Sequence, residues 1–157
     1  MSWKSRLKSF GVYAIATGGF IGYFPVAPGT AGTLVGLLVV WIFAEAPFWL
    51  LLFLSLLLLV VGSWASGEAN RLFGKSDSGH IVIDEIVGMM ITMIGIPVTG
   101  YWMVLGFLLF RFFDIVKLPP GNYFDEKVKN GWGVVMDDVT AGIYSNILLH
   151  LMLRAQI

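Results

Sequence analysis

Uncharged apolar runs, separated by short charged clusters, dominate the chain. A helix that crosses a bilayer needs about 20 mostly apolar residues, with ~17 as a lower bound. The clearest run is 47–66, which carries no charge and is Leu-rich from Leu50 to Leu59. Residues 29–44 form another, shorter and richer in Gly and Thr, and only Glu45 and Ala46 separate the two. So tight a link predicts an antiparallel hairpin, with Pro47 starting the second helix where its missing N–H is tolerated. The uncharged stretch 86–110 has two readings. As one helix it is about 37 Å long, enough to cross a ~30 Å core with tilt. As two, it breaks at Gly95-Ile96-Pro97-Val98-Thr99-Gly100, a cluster of turn formers, and yields spans at 81–96 and 100–115. The last apolar segment is 139–153, with a start as early as Asp137.

Basic residues decide between these readings. Lys4, Arg6 and Lys8 precede the first hairpin, Arg71 and Lys75 follow it, and Arg111, Lys117, Lys127 and Lys129 lie between 110 and 137. With a hairpin at 81–115, all nine fall on one side, the cytoplasm by the positive-inside rule; with one helix, the last four land outside. The hairpin is the expectation. Residues 1–25 begin with a basic cluster, but Gly18, Gly19 and Gly22 interrupt the apolar part and no small-residue cleavage site stands out. The expected form is an interfacial amphipathic helix and a Gly-rich approach to the membrane.

Composition agrees. Of 157 residues, 57% are hydrophobic and 13% charged, about half the charged share of ordinary soluble domains. A small soluble fold cannot hide that much apolar surface. A formal net charge of zero provides no field for a polyanion, which excludes a nucleic-acid binder. With no cysteine there is no disulfide, thiolate metal site or thiol nucleophile. The expected fold class is therefore an all-α integral membrane protein. Residues 1–157 make one domain, a compact bundle of about five short transmembrane helices plus the N-terminal helix. Trp3, Trp41, Trp49, Trp64, Trp102 and Trp132 fall mostly near helix ends, as in an aromatic belt.

The acids carry the chemistry. In this topology Glu45 alone is outside; Glu68, Asp77, Asp84, Glu85, Asp114, Asp125, Glu126, Asp137 and Asp138 are all cytoplasmic. Asp84 and Glu85 sit between Ile81-Val82-Ile83 and Ile86-Val87, Asp114 between Phe112-Phe113 and Ile115-Val116, and Asp137 and Asp138 between Val134-Val135-Met136 and Val139. Acids so placed are costly to desolvate and pair, bind a cation or serve a pathway. Each also has a plain structural explanation. Asp137 and Asp138 can be N-caps of the last helix, and Asp84 and Glu85 a simple helix start. Asp114 can pair with Arg111 at i, i+3. Asp125, Glu126, Lys127 and Lys129 read as a solvated loop or short helix. His80, four residues before Asp84, either orients it or is an interfacial polar residue; His150 reads as a packing residue.

The joint pattern points further. Five acids at three membrane boundaries on one face repel one another unless something positive lies between them. Oxygen-only ligation suits a hard ion such as Mg²⁺, which commonly bridges carboxylates and substrate phosphate. Arg111 can hold a phosphate bidentately and Lys117 as a point charge. Pro28-Gly29-Thr30-Ala31-Gly32-Thr33 opens a helix and offers N–H groups to an anion, although Gly and Thr also serve membrane-helix packing.

Three blocks resemble the phosphatidylglycerophosphatase A family of bacterial membrane lipid phosphatases. They are Pro25-Val26-Ala27-Pro28-Gly29-Thr30-Ala31-Gly32-Thr33, then Ile81-Val82-Ile83-Asp84-Glu85-Ile86-Val87-Gly88. The third runs from Phe110-Arg111-Phe112-Phe113-Asp114-Ile115-Val116-Lys117 to Gly131-Trp132-Gly133-Val134-Val135-Met136-Asp137-Asp138-Val139-Thr140-Ala141-Gly142. The chain departs from the family at Leu118-Pro119-Pro120, where Lys-Pro-x-Pro is usual, and at Asn130, where a Gly is often found. Neither change touches a carboxylate. The resemblance implies Mg²⁺-dependent removal of the terminal phosphate of phosphatidylglycerophosphate, a phospholipid substrate in the bilayer. It also implies a multi-pass protein of the bacterial inner membrane with its site facing the cytoplasm. Its polar site maps to Asp84, Glu85, Asp114, Lys117, Asp137 and Asp138. The expected roles are Asp84, Glu85, Asp137 and Asp138 on metal, with Asp114 as a further ligand or general base. Lys117, Arg111, Thr30 and Thr33 are expected on phosphate. An aspartyl-phosphate intermediate is the alternative to direct attack by water. A small divalent-cation or proton-coupled transporter is the rival from another class, but it needs acids near the bilayer midplane, where 89–110 and 139–149 have none. A purely structural subunit would need no acid cluster.

Overall fold

The computed structural model describes residues 3–74 and 78–155. Lys75, Asp77 and the side chain of Lys4, counted above among the cytoplasmic charges, lie outside the described residues. All regular structure among the described residues is helical: α1 (Trp3–Ala16), a 3₁₀ turn (Ile21–Tyr23), α2 (Pro28–Ile42), α3 (Phe48–Phe73), α4 (Ile83–Thr92), α5 (Gly100–Val116), α6 (Gly121–Lys127) and α7 (Gly131–Arg154). The five expected spans correspond to α2, α3, α4, α5 and α7, with changed lengths. By length and composition α3 is the one helix among the described residues apolar enough to cross a membrane, and it runs seven residues past the predicted stop at 66. It projects Leu52, Phe53, Leu56, Leu57, Val60 and Trp64 outward.

The stretch 86–110 is two helices. α4 ends at Thr92 and α5 starts at Gly100, and the reversal passes through Gly95, whose φ of 72° is open to glycine at no steric cost. α4 is thus only ten residues long, not the 16 of the predicted span 81–96. Its last carbonyls are satisfied from α7. The Asn146 amide donates to Thr92 O (3.0 Å) and Ile94 O (2.8 Å), and His150 Nε2 lies 3.1 Å from Ile94 O. Such partners are required where a helix end is buried. They also explain two polar residues inside an apolar segment.

The helix expected at the N-terminus is α1, and it is a packed element of the bundle. It buries Val12 and Ala16 in the core while Trp3, Leu7 and Phe10 face outward. Glu68 of α3 sits 3.8 Å from Lys8 of α1 and 3.0 Å from Arg71.

α4 is the centre of the fold. Ile83, Ile86, Val87, Gly88, Met89 and Met90 are buried, sandwiched by α2 on one side and α7 on another. Small residues make that sandwich tight, because they let the helix backbones approach closely. A Cβ on Gly88 would stand 2.5 Å from the Phe110 ring and 2.8 Å from Asp138 O, and one on Gly142 would stand 2.5 Å from Gly88 O. On the opposite side, Gly36 of α2 faces the Ile86 carbonyl at 2.9 Å in the same sense. Gly88→Ala should therefore cost about 1–3 kcal/mol by overpacking. The measurement is the thermal denaturation midpoint in detergent. Gly11→Ala, where an added Cβ meets nothing within 4 Å, should leave the midpoint unchanged or raise it.

Candidate active site

Three helix ends meet at one end of the bundle. The first turn of α4 presents Asp84 and Glu85, the last turns of α5 present Arg111 and Asp114, and the second turn of α7 presents Asp137 and Asp138. Lys117 caps α5 in a left-handed conformation with φ 49°. Together with Pro28 and Gly29 of α2 and Asp125 of α6, these residues line a cleft of about 310 Å³.

Within it the acids divide into two groups. Two have cations. Arg111 Nη1 donates to Asp114 Oδ2 at 2.6 Å, the i, i+3 pair anticipated from the sequence. Lys117 Nζ lies 2.7 Å from Asp137 Oδ2 and 2.8 Å from Asp125 Oδ1. Burial pulls the Lys117 ammonium down, but the bonds and charges of Asp125 and Asp137 outweigh it and hold the group above its ordinary value. The other three acids, Asp84, Glu85 and Asp138, make no ion pair among the described residues. One carboxylate oxygen from each lies within 4.8 Å of the others, and Asp138 is only 4% exposed. Glu85 Oε2 is buried and has no hydrogen-bond partner.

Three converging carboxylates without a cation are costly, because like charges repel and burial weakens their hydration. A donor set made of hard oxygens, with a lone pair left unpartnered on Glu85, fits a hard divalent cation. The backbone is shaped for it as well. A Cβ on Gly29 would overlap Glu85 Oε1, so only glycine lets that carboxylate lie against the start of α2.

Several expectations need correction. Asp137 and Asp138 are not N-caps of the last helix. α7 starts at Gly131, and Asn130 is its cap, accepting from Trp132 N (3.0 Å) and Gly133 N (3.1 Å). Nor does Asp137 join the carboxylate cluster. Neighbours in a helix point about 100° apart, so Asp138 faces α4 while Asp137 faces Lys117. Thr30 and Thr33 do not line the cleft; Thr33 is fully buried and its hydroxyl donates to Gly29 O in its own helix. The walls on that side are Pro28 and Gly29. His80 does not reach Asp84: its Nδ1 lies 3.0 Å from Gly22 O and its ring stacks on Tyr23. Asp125 belongs to the cleft, although it sits in a charged stretch that reads as a solvated loop or short amphipathic helix; the helix is the outcome, as α6.

The matching family model, described as Phosphatidylglycerophosphatase A, covers residues 14–153. The chain belongs to the phosphatidylglycerophosphatase A family. A Haemophilus influenzae phosphatidylglycerophosphatase A is 38% identical over 143 residues, 88% of this chain and 86% of the relative. The Escherichia coli phosphatidylglycerophosphatase A is 32% identical over 151 residues, covering 95% and 88%. A Bacteroides thetaiotaomicron protein named as a candidate phosphatidylinositol-3-phosphatase is 42% identical over 153 residues, covering 92% and 94%. No solved structure matches. Membership makes the chain a phosphatase.

Gly29→Ala tests the cleft directly. The added methyl pushes only the end of a flexible side chain, so the fold should survive with little change in denaturation midpoint. Displacing Glu85 should lower phosphatase activity by roughly 10- to 100-fold, the usual effect of disturbing the support of a metal-binding group.

Proposed function

We propose that the protein is a Mg²⁺-dependent lipid phosphomonoesterase. Its reaction converts phosphatidylglycerophosphate to phosphatidylglycerol and phosphate at the cytoplasmic face of a bacterial inner membrane, which it crosses several times. The observation that carries this reading is the make-up of the cleft. Among the described residues three converging acids make no ion pair, and Arg111 and Lys117 line the same cleft, in a chain of this family. The names of two relatives supply the substrate, and the third also names a phosphomonoester on a phospholipid.

Asp84, Glu85 and Asp138 would hold the ion, and when bound it supplies Lewis-acid charge for the phosphate oxygens. The remaining roles belong to side chains. Arg111, oriented by Asp114, presents its guanidinium to two phosphate oxygens, as planar forks do. Lys117, held protonated by Asp125 and Asp137, adds a point charge where negative charge accumulates on the transferring group. Asp114, of which Arg111 occupies one carboxylate oxygen, would accept a proton from the attacking water. The large apolar side chains exposed on α3 and α5, Phe53, Leu57, Val104 and Leu108 among them, support a lipid environment. The transporter reading is weaker, because the uncompensated acids sit at one end of the bundle and the buried middle of α4 and α7 carries none.

Purified protein in detergent should release phosphate from phosphatidylglycerophosphate with Mg²⁺ and release none with EDTA. Asp84→Asn and Asp138→Asn should abolish turnover in folded protein. Full activity in both variants would sink the site assignment. Phosphatidylinositol 3-phosphate offered in parallel should be the poorer substrate; a higher kcat/KM for it would reassign the headgroup and leave the reaction class standing. For the membrane arrangement, a cysteine at Lys127 should react only with reagent on the cytoplasmic side and one at Thr99 only from outside. Labelling of Lys127→Cys from outside alone would separate the acids onto two faces and end the shared-site reading.

A further inference from the structure

Among the described residues, a second depression, a trough walled by Tyr23, Phe24, Phe73 and His80, adjoins the carboxylate cleft at Pro28, Ser78 and Gly79, which line both. Its character is different. The imidazole of His80 stacks on Tyr23 with centroids 4.7 Å apart and lies 5.9 Å from the Phe73 ring, giving an aromatic floor beside an ionic pocket. Tyr23 and Phe24 are 48% and 57% exposed, on a loop that could have turned them inward.

That loop is held deliberately. Its two ends carry non-glycine residues in the left-handed region, Phe20 at φ 72° and Ala27 at φ 49°, a conformation that persists only where the surroundings impose it. The surroundings are visible: Val82 N donates to Ala16 O (3.0 Å), and His80 Nδ1 hydrogen-bonds Gly22 O (3.0 Å). A Cβ on Gly22 would overlap the His80 carbonyl, so the loop is pressed onto the segment that leads into Asp84.

Size completes the argument. A cleft of about 310 Å³ is at the small end of ligand sites. It takes a phosphate and its polyol but not a diacylglyceryl group, which must leave the cleft along an apolar wall. The aromatic trough is such a wall. The equally apolar outer face of α5, with Phe112 and Ile115 exposed, does not line the cleft.

We infer that the trough seats the lipid end of the substrate, with Tyr23 and Phe24 gripping the glyceryl backbone and first acyl carbons while the phosphate occupies the carboxylate cleft. The inference rests on the lipid phosphomonoesterase reading and names the residues that give that site its preference for a lipid. Aromatic side chains that join an apolar body to a wet boundary suit this position.

The test compares phosphatidylglycerophosphate carrying long acyl chains in mixed micelles with its dibutanoyl form, monomeric in water. In Tyr23→Ala and Phe24→Ala, the ratio of kcat/KM for the long-chain over the short-chain form should fall about ten-fold through KM, with kcat less affected. Tyr23→Phe should restore the ratio, and Phe112→Ala should leave it at the wild-type value. An unchanged ratio in both alanine variants, equal losses on both substrates, or a fall produced by Phe112→Ala instead would each overturn the assignment. If the wild-type protein itself hydrolyses neither form, the lipid phosphomonoesterase reading fails, and this inference fails with it.

Discussion

The closeness of α4 to its neighbours is the constraint on which the rest depends. Gly88 on α4 meets Gly142 on α7 with almost no side-chain volume between them, and Gly36 of α2 reaches the α4 backbone from the other side. Without those glycines the helices would stand farther apart, and Asp84 and Glu85 could not share oxygen positions with Asp138. Close backbone packing of this kind brings many dispersion contacts into reach along the whole helix pair. The same contact that holds the bundle together assembles its acids.

From that contact follows an electrostatic problem with a partial internal solution. Asp84 and Glu85 occupy the first turn of α4, where the helix dipole and free N–H groups favour negative charge; the Asp84 carboxylate accepts from Glu85 N at 3.1 Å. Asp138, two turns inside α7, has no such help from a helix end. Arg111 and Lys117 are paired with Asp114, Asp125 and Asp137, which leaves Asp84, Glu85 and Asp138 without an ion pair among the described residues. One cleft thus holds both unpaired carboxylates and cation-bearing pairs, a combination that a phosphate bridged to a cation would satisfy.

Much of this was legible in the sequence, for identifiable reasons. The break at 95–100 was readable because Gly and Pro act locally, and the acids at 84, 85, 114, 137 and 138 stood out because apolar flanks make a charge conspicuous. What escaped depended on helical phase or on distance in the chain. The separation of Asp137 from Asp138 follows from where α7 begins, and the Asn130 cap lies seven residues ahead of the first of them. A polar residue in a polar stretch gives little warning: Asp125 read as part of a solvated loop or short amphipathic helix, with nothing in the sequence to tie it to the cleft. The Thr30 and Thr33 expectation failed because Thr33 turns its hydroxyl onto its own helix, a habit of threonine that sequence spacing does not exclude.

The shortness of α4 ties these observations together. A ten-residue helix is only about 15 Å long, and the far end of α4 is buried against α7. Asn146 and His150 supply the partners that this buried end needs, and they let the chain reverse early into α5. The early reversal permits both ends of the α4–α5 hairpin, with Asp84 and Glu85 on one arm and Arg111 and Asp114 on the other, to lie at the same level. Polar residues at the far end of the bundle therefore do positional work for the chemistry at the near end. Mutating them would be expected to shift the acids' relative heights before it unfolds the bundle.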